Sequence, residues 1–225
     1  MAGQALGTAG HLTVEDVFHT AVQRGYTAQG EMFSAFDLCC LAEQLLGCRP
    51  HLLSGGLDGA NFSSLLAHIL RGYPTLVPYD ADRNYEPCLK RGQKAHWAVV
   101  TGALLGFQDP MLPGVRPAGE HAPGLFILPS SQVNVEEMLP LLLPRLRGTL
   151  LLAKQGKSRR FRLWESSRLA ASNAQLQELD PCRRSDGTQY VLPVRGMAAG
   201  LAGKVLLFLP PAKQFNAIDL GPSAL

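Results

Sequence analysis

Apolar residues recur at helical spacing three times in the first third of the chain. Val14, Val17, Phe18, Ala21 and Val22 fall at i, i+3, i+4, i+7 and i+8, which predicts a helix with one buried face. Thr13 is placed to cap it, with Asp16 three residues on and Gly25 as the stop. A second helix is predicted from near Ser34, with Leu38, Leu41, Ala42, Leu45 and Leu46 in one stripe and Gly47 ending it. A third groups Phe62, Leu65, Leu66, Ile69 and Leu70 and stops at Gly72.

The pattern then shifts toward strands. Residues 74–79 read as a short strand, with Pro78 near its end or at a sheet edge because proline brings no N–H to a ladder. A polar loop over 80–93 leads into 95–105, a longer strand of small and β-branched residues. Residues 108–132 are rich in proline and glycine and predict a surface excursion or flexible insert. Residues 150–153 and 161–164, joined by a turn at Gln155-Gly156-Lys157-Ser158, predict a hairpin. Residues 190–194 and 205–209 predict two more strands, and a frayed tail follows Pro210. Helices first and antiparallel strands after make an α+β order. One domain is expected over residues 1–209, with a tail over 210–225.

Composition narrows the function classes. At 225 residues and 46% apolar, the chain can bury one sizeable core. A formal charge of +3 is too small to imply a polyanionic partner. The basic run Lys154, Lys157, Arg159, Arg160 and Arg162 reads as a solvated hairpin, so no nucleic-acid partner is expected. The most apolar region, 138–153, is broken by Pro140, Pro144, Arg145, Arg147 and Gly148. It falls short of the ~18 apolar residues that span a bilayer, and no membrane partner is expected. Five cysteines with no C-x-x-C, and an N-terminus without a secretory pattern, predict reduced thiols and a cytoplasmic location. The six histidines lack metal-ligand spacing, so neither metal nor cofactor is expected. Around Gly196–Lys204 the phosphate-loop pattern fails at Ala198 and Val205. Around Asp80–Asn84 the calcium-loop pattern fails at Tyr85 and Arg91. Both stretches read as loops.

One histidine stands apart. His96 begins the apolar strand directly after a polar loop and beside Trp97. An imidazole at a strand entrance can face a cleft and move a proton between a thiol and a leaving amine. It can equally be a structural residue capping the strand. A nucleophile is harder to find. Cys39 and Cys40 fall mid-helix and Cys48 just past a helix stop, whereas an activated thiolate favours a helix N-terminus. Cys39 and Cys40 read as core filler, and Cys88 lies in the loop before His96.

Six stretches carry a resemblance. They are RGYTAQGEMFS (24–34), LLSGG (52–56), YEPC (85–88), KAHWAVVTG (94–102), AKQGKS (153–158) and SNAQL (172–176). In that order they resemble the actin maturation protease family over nearly the whole chain, apart from an insert near 108–147 and the tail. The resemblance implies a papain-like, bacteriocin-processing-type cysteine peptidase fold, with a helical N-terminal part and an antiparallel sheet. It implies removal of the acetylated first residue (Met or Cys) of immature actin. His96 matches the catalytic histidine. Glu165, after the hairpin strand, is the candidate to orient its imidazole, with Asp109 as a rival; a solvated carboxylate opening the next helix is the other reading of Glu165. Arg83, Lys90, Arg91 and Lys94 are candidate contacts for an acidic substrate. The family's nucleophilic cysteine and its Pro-rich profilin-binding leader are expected upstream of Met1. The chain is thus expected to lack the nucleophile helix and to be inactive alone, an N-terminally truncated form. A non-catalytic actin-binding or regulatory product is the alternative.

Overall fold

The structure is a computed structural model and describes residues 12–108, 116–119, 124–128, 134–158 and 160–210, with a few isolated positions before residue 12. Helix α1 (Val14–Gln23) opens where the sequence placed it. The Thr13 hydroxyl accepts the Asp16 N–H at 3.1 Å, and the Asp16 carboxylate accepts the Thr13 N–H at 2.8 Å, a reciprocal capping box. Its expected buried face is largely open. Ala21 is buried, but Val14 is 80% exposed, Phe18 39% and Val22 42%. The main neighbour of α1 is α2 (Ala35–Leu46), so the sheet core does not cover the rest of the stripe.

Helix α2 is capped by the Ser34 hydroxyl and ends on Gly47 in the left-handed conformation. Helix α3 (Gly59–Leu70) buries Leu65, Leu66 and Ile69. The strands are β1 (Arg49–Leu53), β2 (Thr75–Asp80), β3 (Ala95–Phe107), β6 (Leu146–Gln155), β7 (Arg162–Glu165) and β8 (Val205–Leu209). They form one sheet in the order β1-β8-β2-β3-β6-β7, each pairing antiparallel. The fold is α+β with an antiparallel sheet.

Alternation along β8 shows how the sheet is covered. Val205 and Leu207 face a core with Leu65 and Ile69 of α3 and Leu169 and Ala170 of α5 (Ser166–Ala174). Leu206 and Phe208 face the other side, against Ala35 and Ala42 of α2. A smaller cluster of Phe33, Leu176, Leu179, Met197 and Leu201 continues that second side. Period-two burial on both faces is what a central strand between two helical layers requires.

Several expectations are corrected. Strand β1 is not announced by the apolar pattern; Pro50 is tolerated there because β1 is an edge strand. Pro78 lies in the interior strand β2, but beyond Leu76, where the pairing with β8 ends. Residues 190–194 are irregular rather than a strand, and Tyr190 instead sets its ring edge-on to Phe33 at 6.3 Å. Gly196–Leu201 is not a loop but a short helix, α7, and a further one, α6, spans Pro181–Ser185.

The expected insert is partly built into the fold. Strands β4 (Arg116–Pro117) and β5 (Phe126–Ile127) pair as a small separate ribbon. Helix α4 (Val135–Leu142) forms despite Pro140 and buries Val135, Met138 and Leu142. It packs near α3, with Arg71 bonded to Glu136 at 2.6 Å. No helix among the described residues is long and apolar enough to cross a membrane.

Candidate active site

His96 occupies the second position of β3, opposite Tyr79 of β2. What fixes that strand end is a buried carboxylate. Asp80 is 0% exposed, and its two oxygens accept backbone N–H groups from Lys90 at 2.6 Å, Gly92 at 3.0 Å and Lys94 at 2.9 Å. Gln175 adds its Nε2 at 3.1 Å. A carboxylate that accepts several backbone donors satisfies its own desolvation and pins the loop that supplies them. The stretch that failed as a calcium loop is therefore an internal anion that shapes residues 81–94.

Helix α5 closes the same clamp. The Ser172 hydroxyl accepts the Asp80 N–H at 2.9 Å and donates to the Asp80 carbonyl at 3.1 Å. The Asn173 amide donates to the carbonyls of Pro78 at 2.8 Å and Lys204 at 3.0 Å. Gln175 accepts the Arg91 N–H, and the Arg91 carbonyl accepts from Gln177 and Glu178. The SNAQL stretch is thus the bolt of the His96 loop. Gly92 has φ +98°, and a Cβ there would stand 2.4 Å from the Met197 methyl and 3.1 Å from the Leu176 Cα; a larger residue is strained there.

The imidazole is half-buried. Neither ring nitrogen has a hydrogen-bond partner among the described residues. The edge of Tyr85 lies against it, with centroids 6.2 Å apart. Tyr85 itself has φ +63°, a conformation an L side chain adopts at a cost, and its carbonyl accepts the Tyr79 hydroxyl at 3.0 Å. A cleft of about 350 Å³ opens beside the ring, lined by Gly30, Glu31, Met32, Phe33, Trp97, Lys157, Arg183 and neighbouring residues. The Trp97 indole donates to the Met32 carbonyl at 2.9 Å, which ties the cleft wall to β3. Burial holds the His96 pKa below its ordinary 6.5, and Lys157, Arg183 and Lys94 push it further down, with Asp80 opposing. The ring is therefore neutral near pH 7, the form that accepts a proton.

The other expected site residues are scattered. Glu165 is exposed and opposes Leu150, which opposes Leu104 of β3. That is eight residues along the strand from His96, roughly 25 Å at the rise of a strand. The structure does not bring Glu165 to the imidazole; the carboxylate precedes α5, as the solvated reading had it. It lines a larger concavity, about 690 Å³, with Leu104, Gly106, Arg147 and Ser166. That one is bigger than the His96 cleft but contains no histidine or cysteine, so the smaller cleft is the chemical candidate. Asp109 lies outside the described residues. Of the four cations named from the sequence, Lys94 acts on His96, while Arg91 pairs with Glu178 at 3.4 Å.

Gln155 is what sequence reading passed over. It ends β6 opposite Ala98, so it is the diagonal neighbour of His96 on the same face of the sheet. Such pairs lie roughly 7–8 Å apart at their backbones, within reach of a long side chain. Gln155 is 4% exposed; its Oε1 accepts the Lys157 N–H at 2.6 Å, and its Nε2 is buried without a partner. A buried amide left half-satisfied is a costly arrangement that calls for a role. The AKQGKS stretch held the signal, but its glutamine looked like part of a turn.

No cysteine lines the cleft. Burial pushes the Cys39 thiol up to about 12. Cys48 is 1% exposed and, like Cys88, is raised by burial. These are the marks of inert thiols. Among the described residues no group of His, Cys, Asp or Glu is arranged to hold a metal ion.

The structure is an α+β domain that presents an imidazole from a clamped strand end in a cleft with basic walls, an arrangement able to accept a proton. Residues 1–104 match the family model described as "Actin maturation protease-like, C-terminal domain". The actin maturation protease of Danio rerio is 46% identical over 95% of this chain and 68% of its own length. That of Xenopus tropicalis is 42% identical over 93% of this chain and 66% of its own. For the Homo sapiens protein the values are 44%, 93% and 59%. The chain belongs to the actin maturation protease family. It spans about three-fifths to two-thirds of the length of these relatives. No solved structure matches.

Proposed function

We propose that this chain carries the histidine half of a papain-like cysteine peptidase that removes the acetylated first residue of immature actin in the cytoplasm. Its peptidase domain would run to about residue 209, and profilin would be a partner of longer forms. The observation that carries the reading is convergence: residues 30–33, His96, Trp97 and Lys157, from three separate resemblance-bearing stretches, line one cleft, and Gln155 lies diagonal to His96 in the sheet behind it. The relatives' names support actin as the protein acted on.

In the proposed reaction a cysteine thiol at this cleft gives its proton to His96. The thiolate attacks the carbonyl of the first residue, and the imidazolium returns the proton to the departing amine of the next. A water molecule, deprotonated by His96, then hydrolyses the thioester and frees the thiol. Gln155, rather than Glu165, is the proposed positioning residue for the ring. Because no cysteine of this chain lines the cleft, the chain alone is proposed not to turn over substrate. That same observation favours the second reading, a product that binds actin without cleaving it.

The test weighs actin N-termini by mass spectrometry in cells lacking the family enzyme and supplied with this chain. Immature N-termini are expected. Mature N-termini that disappear in His96→Ala would keep the peptidase reading and defeat the inactivity; mature N-termini that survive His96→Ala would defeat both. In parallel, the His96 ring followed by NMR should respond to Gln155→Ala and not to Glu165→Gln. The reverse pattern would restore Glu165 to the site.

A further inference from the structure

The cleft beside His96 has a charge pattern of its own. Lys157 stands in the turn between β6 and β7, and Arg183 in α6; both line the cleft and both act on the His96 ring. Glu31 is the one acidic residue among the lining residues and lies 3.8 Å from Arg183. Lys94 adds a third cation next to the strand end. The Lys157 ammonium has no ion-pair partner among the described residues. Arg183 is tethered: its guanidinium also lies 5.5 Å from the centre of the Tyr190 ring, and the Tyr190 hydroxyl donates to Asp186 at 2.8 Å. Behind the charges, Phe33, Trp97 and Leu201 give the cleft an apolar wall.

We propose that Lys157 and Arg183 are the specificity-determining residues of this cleft, selecting an extended peptide with carboxylate side chains next to the backbone bond presented to His96. Two cations from separate elements, one compensated and one free, leave an unbalanced positive cleft that an acidic peptide neutralises. Lys157 carries the larger share because Glu31 already offsets Arg183. The apolar wall argues for a peptide over a polyphosphate, which would make no apolar contact. The role of a bound peptide as substrate rests on the peptidase reading; the selection itself does not.

The experiment measures binding of N-acetyl-Met-Asp-Glu-Asp-Glu to the chain, against the amide isostere N-acetyl-Met-Asn-Gln-Asn-Gln, by NMR shifts of His96 and its neighbours. The acidic peptide should bind more tightly, and the preference should shrink as salt rises. Lys157→Gln and Arg183→Gln should each lower that preference, Lys157→Gln by about fivefold and Arg183→Gln by less. Lys154→Gln, whose cation lies over Phe161 on the same hairpin, should leave it unchanged. Lys157 is exposed, so its substitution tests the idea without threatening the fold. Equal binding of both peptides, no binding of either, or a preference untouched by Lys157→Gln would overturn the proposal. So would tighter binding of a short single-stranded oligonucleotide than of the acidic peptide. If acidic peptides bind in a Lys157-dependent way and no actin is ever processed through His96, the peptidase reading fails while the selection stands.

Discussion

The two ends of β3 are made of different material. At the His96 end the strand enters from a loop whose backbone is fastened to the buried carboxylate of Asp80, and the amides of Gln175 and Asn173 lock that loop to α5 and β2. At the other end Leu104 and Gly106 are exposed, a register shift interrupts the pairing with β6 before Phe107, and Glu165 stands in solvent. One end is held by directional polar contacts with buried partners, the other mainly by ladder bonds and partly covered leucines. Precise placement of a side chain demands the first kind of construction. The larger concavity at the loose end is therefore a poorer place for chemistry than the small cleft at the tight one.

Removing the anion at the tight end should have the largest effect. Asp80→Ala strands the N–H groups of Lys90, Gly92 and Lys94 away from any acceptor, and the loss should be about 3 kcal/mol or more in urea unfolding. A loss below about 1 kcal/mol would show that the loop finds other partners. The glycines give a paired comparison of intermediate size. Gly92→Ala must place a Cβ 2.4 Å from the Met197 methyl at a positive φ, and about 1–3 kcal/mol should be lost. Gly148→Ala, at the loose end and with nothing within 4 Å of the added carbon, should stay within about 0.5 kcal/mol of the parent. Equal effects would erase the contrast between the ends.

The smallest expected effect is on pH dependence. Burial holds both His96 and His68 below the ordinary 6.5, and neighbouring cations add to this at His96. The unfolded chain therefore binds protons at these rings before the folded one does. Their contribution to stability is full above about pH 6.5 and is lost as the pH falls from there toward the lower folded-state values. Lys157→Gln should raise the His96 midpoint and leave that of His68, whose ring bonds the Pro74 carbonyl at 3.1 Å, where it was. Movement of both would place the cause in the whole sheet rather than in the cleft.

The helices were legible because their signals are local. The Thr13–Asp16 box, Ser34 with Gly47, and the stripe from Phe62 to Leu70 each lie within a few turns of chain. The site was legible only at His96. Asp80 and Ser172 are 92 residues apart, and Pro78 and Asn173 are 95 apart; nothing in spacing reports such contacts. Residues 190–194 carry a strand's composition and pair with no strand, since a strand needs a neighbour as well as a propensity. Glu165 is a candidate through the resemblance alone, and the register carries it toward the far end of β3.

The place of β8 has a consequence for how the molecule is made. It sits between β1 and β2, with Arg49 facing Leu209 and Thr75 facing Leu207. A chain leaving the ribosome at about 5–20 residues per second presents β1 and β2 many seconds before their middle partner exists. Until then a slot one strand wide stays open in the apolar centre of the sheet, and closing it requires contacts of very long sequence separation, which form slowly. The nascent protein should spend that interval in need of a chaperone, with residues 205–209 as the piece that ends it.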